Sequence, residues 1–365
     1  MNCESLLVLA EDMSNDDATP GWDAINRTLK PIYGEQEPLH WGTIMRFSLG
    51  GNDPLDGISA YRRTDPVPHW HFVTFGFSEL YAKEAEDTEC SGYGFELTFR
   101  LRTETFDEPP STWVLNFLQN LARYVFSSGN VFDAGHYMDL NGPIALGVET
   151  KIRAIAIAQD SELGRIQTPN GELTFLQVVG ITLDELFTAK AWDTSRLLET
   201  IQPHLPLWIT DLTRSSFTDD LSIACTIQAG IERDGSSTAF LFVGATSWKL
   251  ERPLLRSERL VLTLGANGVR NFVTVLPNRI PFGRSLDVAS REGRVHFAPA
   301  DECAWNAMGE EELVVHLTAA AAHALVRTVI PKQGTYMISQ FPNFVVQVVK
   351  SEIKDTEGKV VEVIG

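Results

Sequence analysis

The sequence predicts an α+β protein of two domains. Three observations predict it. The chain has 365 residues, more than one hydrophobic core usually serves. Two strand-like segments, residues 69–81 and 91–102, are aromatic and studded with glycine, and an acidic loop carrying Glu84, Glu86, Asp87 and Glu89 joins them. Helices with their own start and stop signals are interspersed with such strands, the clearest after Pro109-Pro110.

Taken in order, residues 1–19 carry Glu4, Glu11, Asp12, Asp16 and Asp17 with no Lys or Arg, and read as a short helix and a polar connector. Residues 23–30 read as a helix stopped by Pro31. Residues 41–49 read as a strand ended by Gly50-Gly51-Asn52-Asp53-Pro54. Glycine is free to adopt positive φ, and proline bars helix in the residue before it, so that cluster is a turn. Ile58 and Tyr61 mark a brief strand before the Asp65-Pro66-Val67-Pro68 linker, and segments 69–81 and 91–102 supply two central strands.

Ser111 or Thr112 can cap the helix after Pro109-Pro110, and Gly129 follows its end. Val114, Leu118, Leu121 and Val125 recur at helical spacing, so that stripe faces a core. Tyr124 lies roughly 100° from the stripe's centre, at about 100° per residue. On that border a phenol packs on one side and reaches outward on the other. Arg123 points almost opposite the stripe.

Residues 152–158 and 173–179 are rich in β-formers, with a turn at Pro169-Asn170-Gly171. Thr182 and Glu185 have capping-box spacing and start a helix. Another helix covers 194–201. Leu207-Trp208-Ile209-Thr210 reads as a short buried strand leading to Asp211. A helix over 221–231 ends at Asp234-Gly235, and the uniformly apolar run 239–245 reads as a strand.

Glu251-Arg252-Pro253 is the expected boundary between a domain over 1–252 and a smaller α+β domain over 253–365. The second is expected to hold strands at 259–264, 272–276, 344–349 and 359–364, with a turn at 355–358. Its helix, 310–329, is opened by three glutamates at the positive dipole end and closed by Pro331.

Lys plus Arg number 30 against 48 Asp plus Glu, a net charge of −18. Such a chain repels phosphate backbones and attracts cationic partners, which argues against direct nucleic-acid binding. Cys3, Cys90, Cys225 and Cys303 lie far apart without CxxC spacing, which points to reduced thiols in a cytoplasmic protein and away from a cysteine zinc site. No apolar run approaches the roughly 18 residues of a membrane span. No basic cluster precedes the short apolar run 6–10, so no signal peptide is expected.

Candidate chemistry is thin. His69 and His71, two apart on a strand, face one side, but no third ligand is identifiable; core histidines are the stronger reading. His136 and Asp139 have the types of an acid–base pair without a nucleophile or cofactor motif nearby. Cys90 has no assignable His or Asn beside it. There is no phosphate-binding P-loop, and Gly92-x-Gly94 lacks the third glycine of a dinucleotide fingerprint and precedes a strand. No metal and no cofactor are expected.

A binding surface remains. Tyr81, Tyr93, Tyr124, Trp208 and Trp248 are candidate anchors, because large rigid aromatics bury much area at small entropic cost. The 239–245 strand is either an edge able to pair with an incoming peptide or a covered core strand, and the residues alone leave both open.

Several motifs resemble the suppressor of fused family. They are Gly50-Gly51-Asn52-Asp53-Pro54-Leu55-Asp56, the runs over 69–81 and 91–101, Leu121-Ala122-Arg123-Tyr124-Val125-Phe126, Gln167-Thr168-Pro169, residues 174–180, Trp208-Ile209-Thr210-Asp211 and residues 230–236. The match runs in order over roughly 20–250 and is faint from 254 onward.

The resemblance implies a two-domain α+β protein that binds partners and is not an enzyme. In animal members a short segment of a transcription factor is clamped between the two domains, where it adds as a strand. On this sequence the family's helix tyrosine falls at Tyr124, and its pairing strand falls near 239–245, taking in Phe240, Leu241, Phe242 and Val243. At the family's partner-contacting aspartate, within Asp133-Ala134-Gly135-His136-Tyr137, this chain has His136. It also lacks the long C-terminal insertion of animal members, and in this compactness it looks like bacterial members found in polymorphic-toxin loci as immunity proteins. The expected function is therefore to sequester or neutralise a protein partner, a basic toxin domain first. The alternative is a negative regulator that holds a transcription factor.

Overall fold

The computed structural model describes residues 18–45, 47, 50–252, 257–308, 312–354 and 359–365. The expected N-terminal helix and the turn at 355–358 lie outside the described residues. The chain divides into two compact units. The first holds the described residues up to Leu183 together with 202–215, and the second holds 184–201 and the described residues from 216 onward. The division does not fall at 252/253. Helix 221–234 and the two strands after it are made of residues that pack with the C-terminal half.

Unit 1 begins with helix α1 (Pro20–Tyr33), followed by β1 (Leu39–Gly42), β2 (Gly57–Arg63), β3 (His69–Phe75) and β4 (Cys90–Arg102). Helix α2 (Trp113–Ser128) precedes β5 (Tyr137–Asp139), β6 (Ile152–Gln159), β7 (Arg165–Thr168) and β8 (Gly171–Thr182). The sheet order is β1-β2-β3-β4-β8-β6-β5, with β7 added to β8. Only β4 and β8 pair in parallel, so the sheet is mixed.

All seven residues of β3 are buried, because both of its faces are covered. Trp70 and Phe72 share a core with Leu97, Phe99 and the α2 residues Val114, Leu118, Leu121 and Val125. Val73 and Phe75 share a second core with the α1 residues Ile25, Leu29 and Tyr33. Strand alternation thus assigns the even positions of β3 to α2 and the odd ones to α1. Helix α1 runs on through Pro31 because Tyr33 is drawn into that core, 8% exposed.

Unit 2 contains α3 (Leu183–Ala191), α4 (Thr194–Ile201), α5 (Leu221–Asp234), β9 (Phe240–Phe242), β10 (Thr246–Glu251), β11 (Arg259–Gly265) and α6 (Ala266–Val275). It continues with β12 (Leu286–Ala289), β13 (Arg294–Pro299), β14 (Ala304–Met308), β15 (Glu312–Leu317) and α7 (Ala319–Thr328). It ends with β16 (Gly334–Ile338), β17 (Phe341–Val349), β18 (Ser351–Lys354) and β19 (Val360–Ile364). A four-stranded sheet, β10-β11-β17-β16, and a five-stranded sheet, β14-β15-β13-β12-β9, contribute to one apolar core with α6 and α7. β18 and β19 pair with each other.

Four expected elements differ. Residues 272–275 of the expected strand are part of α6: Val269, Phe272 and Val275 are among its buried residues, a helical repeat that outweighs β-branched propensity. The helix over 310–329 is a strand followed by a helix. Leu313, Val315 and Leu317 are buried alternately, and the Thr318 hydroxyl then caps α7 by accepting from the Ala321 amide at 3.1 Å. Of the strand over 41–49, residues 41–42 belong to β1 and 43–45 do not continue it, while 46, 48 and 49 lie outside the described residues. The strand at 207–210 is a 3-10 turn with Leu207 and Trp208 at φ 50° and 47°, after which Thr210 alone bridges to β4. Gln177 holds this unusual backbone by donating from Nε2 to the Leu207 carbonyl at 2.8 Å.

Candidate functional site

On α2, Gly129 closes the helix at φ 72°, a left-handed turn that glycine enters without strain. Arg123 reaches out to the turn at 52–53, donating to the Asn52 carbonyl at 3.2 Å and pairing with Asp53. Tyr124 is 39% exposed. Its ring lies 5.8 Å from that of Phe132, and its hydroxyl accepts from Asn130 Nδ2 at 3.3 Å. A buried partner on one side and an open outer face make it a half-seated aromatic.

His136 is exposed just before β5. The Asp133 amide donates to its Nδ1 at 3.2 Å. The Asp139 carboxylate accepts from the Asn141 amide at 2.8 Å. Both groups therefore serve local turns, and they do not pair as acid and base. β5 itself is the terminal strand of its sheet.

In unit 2, β9 is also a terminal strand, paired in parallel with β12 alone. The bonds Asp287 N–H to Ala239 O at 2.9 Å and Val243 N–H to Ala289 O at 2.8 Å fix which side of β9 faces β12. By alternation the amides and carbonyls of Phe240 and Phe242 point to the free side. Their side chains are 51% and 65% exposed, whereas Leu241 and Val243 are 4% exposed and belong to the core. Of the four candidates on this strand, Leu241 and Val243 are thus out of a partner's reach as side chains. The apolar run 239–245 that sequence left undecided is half core and half edge.

The remaining candidate aromatics divide. Trp208 and Trp248 are half-buried, and their indole N–H groups have no hydrogen-bond acceptor among the described residues. Tyr81 and Tyr93 line a cavity walled also by Phe126.

His69 and His71 lie wholly buried in a polar network that the sequence did not reveal. Arg100, opposite His71, donates to both Asp160 oxygens at 2.7 and 3.2 Å, to Gln177 at 2.6 Å and to Glu162 at 2.9 Å. Thr98 donates to Asp160 at 2.7 Å. The Tyr33 hydroxyl lies 2.6 Å from His71 Nδ1, and His71 Nε2 stands 3.6 Å from Asp160, too far for a hydrogen bond. His69 Nδ1 faces the Val67 carbonyl at 2.7 Å, so that nitrogen carries the proton. Among the described residues no three His, Cys, Asp or Glu side chains are placed to hold a metal.

Burial, then the Arg100 charge, pushes His71 down to about 4 against the pull of Asp160; burial does the same to His69. Burial works to raise Asp160, but the charge and paired hydrogen bonds of Arg100 outweigh it and hold its carboxyl well below the usual range. Glu96 is a separate buried carboxylate. It accepts from the Ser78 hydroxyl at 2.6 Å, the Ser78 and Gly76 amides at 2.9 Å and Thr74 at 2.7 Å, yet burial raises it to about 7.

A pH dependence follows. A histidine whose folded pKa lies below its unfolded value of about 6.5 binds protons preferentially in the unfolded chain, so its contribution falls as pH drops from about 6.5 to about 4. Glu96, raised to about 7, acts oppositely: its contribution grows as pH drops through about 7 toward its unfolded value. Two histidines against one glutamate give a net loss on acidification. Unit 1 is expected to show a lower urea midpoint at about pH 5 than at about pH 7. Glu96→Gln should steepen that loss and His71→Gln should flatten it; equal midpoints at both pH values would contradict the assignment.

Comparison with known proteins agrees with this layout. The model of the suppressor of fused protein family matches residues 51–215. Over 251 residues the chain is 37% identical to the suppressor of fused homolog of Homo sapiens, covering 64% of this chain and 51% of that protein. The Mus musculus homolog is 36% identical over the same length. The chain thus spans about half the length of the curated relatives it matches. The crystal structure of Drosophila Suppressor of Fused is similar at TM-score 0.74 and 22% identity, covering 91% of this chain and 97% of that one, which shows a shared fold. A chain of the Sufu-Fu complex crystal structure matches at TM-score 0.53 and 32% identity, covering 58% of this chain and 98% of that one.

Proposed function

The chain belongs to the suppressor of fused family, and from that membership we propose that it is a non-enzymatic, cytoplasmic protein that binds and neutralises a protein partner. The observation that carries this reading is β9. A terminal strand with free backbone groups and two exposed phenylalanines is a template for strand addition. A relative is solved as a Sufu-Fu complex, which supports partner binding here. Tyr124 and His136 on unit 1, and Phe240 and Phe242 on unit 2, are the contact residues of the proposal.

The net charge of −18 favours a basic partner, and a toxin domain held by its immunity protein is the leading form. The second form, a regulator that retains a transcription factor, is favoured by the 37% identity to the human homolog.

The experiment is affinity capture from the native host with the wild-type chain and with Tyr124→Ala, followed by mass spectrometry and titration of the recovered protein. A basic, toxin-like protein whose affinity drops by about 2 kcal/mol with Tyr124→Ala is expected. A DNA-binding regulator in its place would select the second form. Unchanged affinity in the folded variant would remove Tyr124 from the site.

A further inference from the structure

The most motif-dense stretch of the chain builds more than core. β3 leaves the sheet at Phe75, and the loop that follows runs beside the start of β4. Gly92, at φ 57°, lets them approach closely, and Gly76, at φ 137°, brings the loop against residues 55–56. A Cβ on Gly76 would stand 2.8 Å from the Asp56 amide nitrogen, and one on Gly92 2.6 Å from the Phe77 carbonyl. The Tyr93 amide donates to that carbonyl at 2.9 Å. The Glu79 carboxylate accepts from the Gly92, Glu84 and Ala85 amides at 3.2, 2.6 and 2.5 Å, which draws in the start of the acidic loop.

The result is a cavity of about 560 Å³. Phe126 stands in its wall with the rings of Phe47 and Tyr93 edge-on to it, at 5.4 and 4.9 Å. Asp56, Glu79 and Glu84 are the acidic residues that line it, and among the described residues it is lined by no Lys, Arg or His. Lys83 neutralises Glu79 at 2.8 Å, whereas Glu84 is exposed with a carboxylate that bonds to nothing among the described residues. Ile44 and Met45, shortly before Phe47, are fully and half exposed.

We propose that this cavity is a second docking site, which takes an arginine side chain from an exposed segment of a basic partner protein. Charge complementarity selects the occupant. Aromatic walls beside the Glu84 carboxylate attract a cation that is weakly hydrated and planar, and a guanidinium stacks on ring faces while donating two parallel bonds to a carboxylate. Ammonium, compact and strongly hydrated, fits such walls less well. The exposed Ile44 and Met45 favour a polypeptide over a free small cation, because apolar flanking residues have somewhere to lie. The site lies wholly within unit 1 and does not depend on β9.

The test is amide-resolved NMR of the isotope-labelled full chain, titrated with the capped tripeptides Leu-Arg-Leu and Leu-citrulline-Leu. The arginine probe is expected to shift the amides of Gly76, Ser78, Glu84, Gly92 and Tyr93 with a millimolar Kd, and the neutral citrulline probe to bind about tenfold more weakly or less. Glu84→Gln, at an exposed position, should weaken the arginine probe about tenfold and leave the citrulline probe unchanged. A change at β9 should leave both probes unaffected, which separates this site from the strand-addition reading. Equal binding of the two probes, or shifts confined to other amides, would overturn the proposal.

Discussion

Arg100→Met is expected to destabilise unit 1 by about 3–5 kcal/mol, because it strands a buried carboxylate. Arg100 and Asp160 are 0% and 1% exposed, and the pair is bidentate. The other groups on Asp160 are the Thr98 hydroxyl and the Glu162 and Leu163 amides, which hydrogen-bond the carboxylate but carry no countercharge. Glu162 keeps Arg63 at 2.5 Å, so it loses less.

The double change Arg100→Met with Asp160→Leu removes both charges, and replacing a buried pair with apolar groups is often close to neutral. It should be less destabilised than Arg100→Met alone. Hydrogen exchange of the β3, β4 and β8 amides with urea unfolding measures both. A double variant no better than the single one would mean that the hydrogen bonds to Gln177 and Thr98, and not the charge pair, hold the network.

That network also shows where sequence reading stops. Arg100 and Asp160 lie 60 residues apart, and nothing local in either segment marks them as partners. The alternation of β4, with Leu97, Phe99 and Leu101 toward α2, is visible in the sequence; the destination of Thr98 and Arg100 depends on which strand lies next to β4 and which turn closes over it. The extent of helix α2 was legible because its signals are local, a proline pair before it, an apolar stripe along it and Gly129 after it, although the expected cap is missing: Thr112 at its start makes no side-chain cap bond. Residues 272–276 read as a strand in sequence because Val and Phe favour strands in isolation, while the burial of Val269, Phe272 and Val275 requires a helix.

The candidate site was legible only in part for the same reason. The border position of Tyr124 follows from helical spacing, and the structure leaves it 39% exposed. The division of residues 240–243 into two outward and two inward side chains requires β12, more than forty residues downstream. The cavity beside Gly76 and Gly92 requires two loop segments to be closed on each other by Glu79, although its glycines and aromatics were the most conspicuous letters in the chain.

Phe242→Pro is expected to abolish most partner affinity while leaving unit 2 folded. Phe242 directs its amide away from β12, so proline removes no bond from the native ladder. Leu241 before it is already extended, the conformation that a following proline requires. For an incoming strand the change removes a donor, places a ring in its path and deletes an exposed aromatic. Together these amount to about 3 kcal/mol, on the order of a hundredfold in Kd. Phe242→Ala removes the aromatic and keeps the amide, so it should cost less by at least the worth of one hydrogen bond, about 1 kcal/mol. Titration of both variants against the recovered partner, with the β12 amides as a folding control, reads the difference. Equal losses would mean that the partner lies across the phenylalanine side chains and does not extend the sheet, and the edge of β9 would then be a feature of the fold and not of recognition.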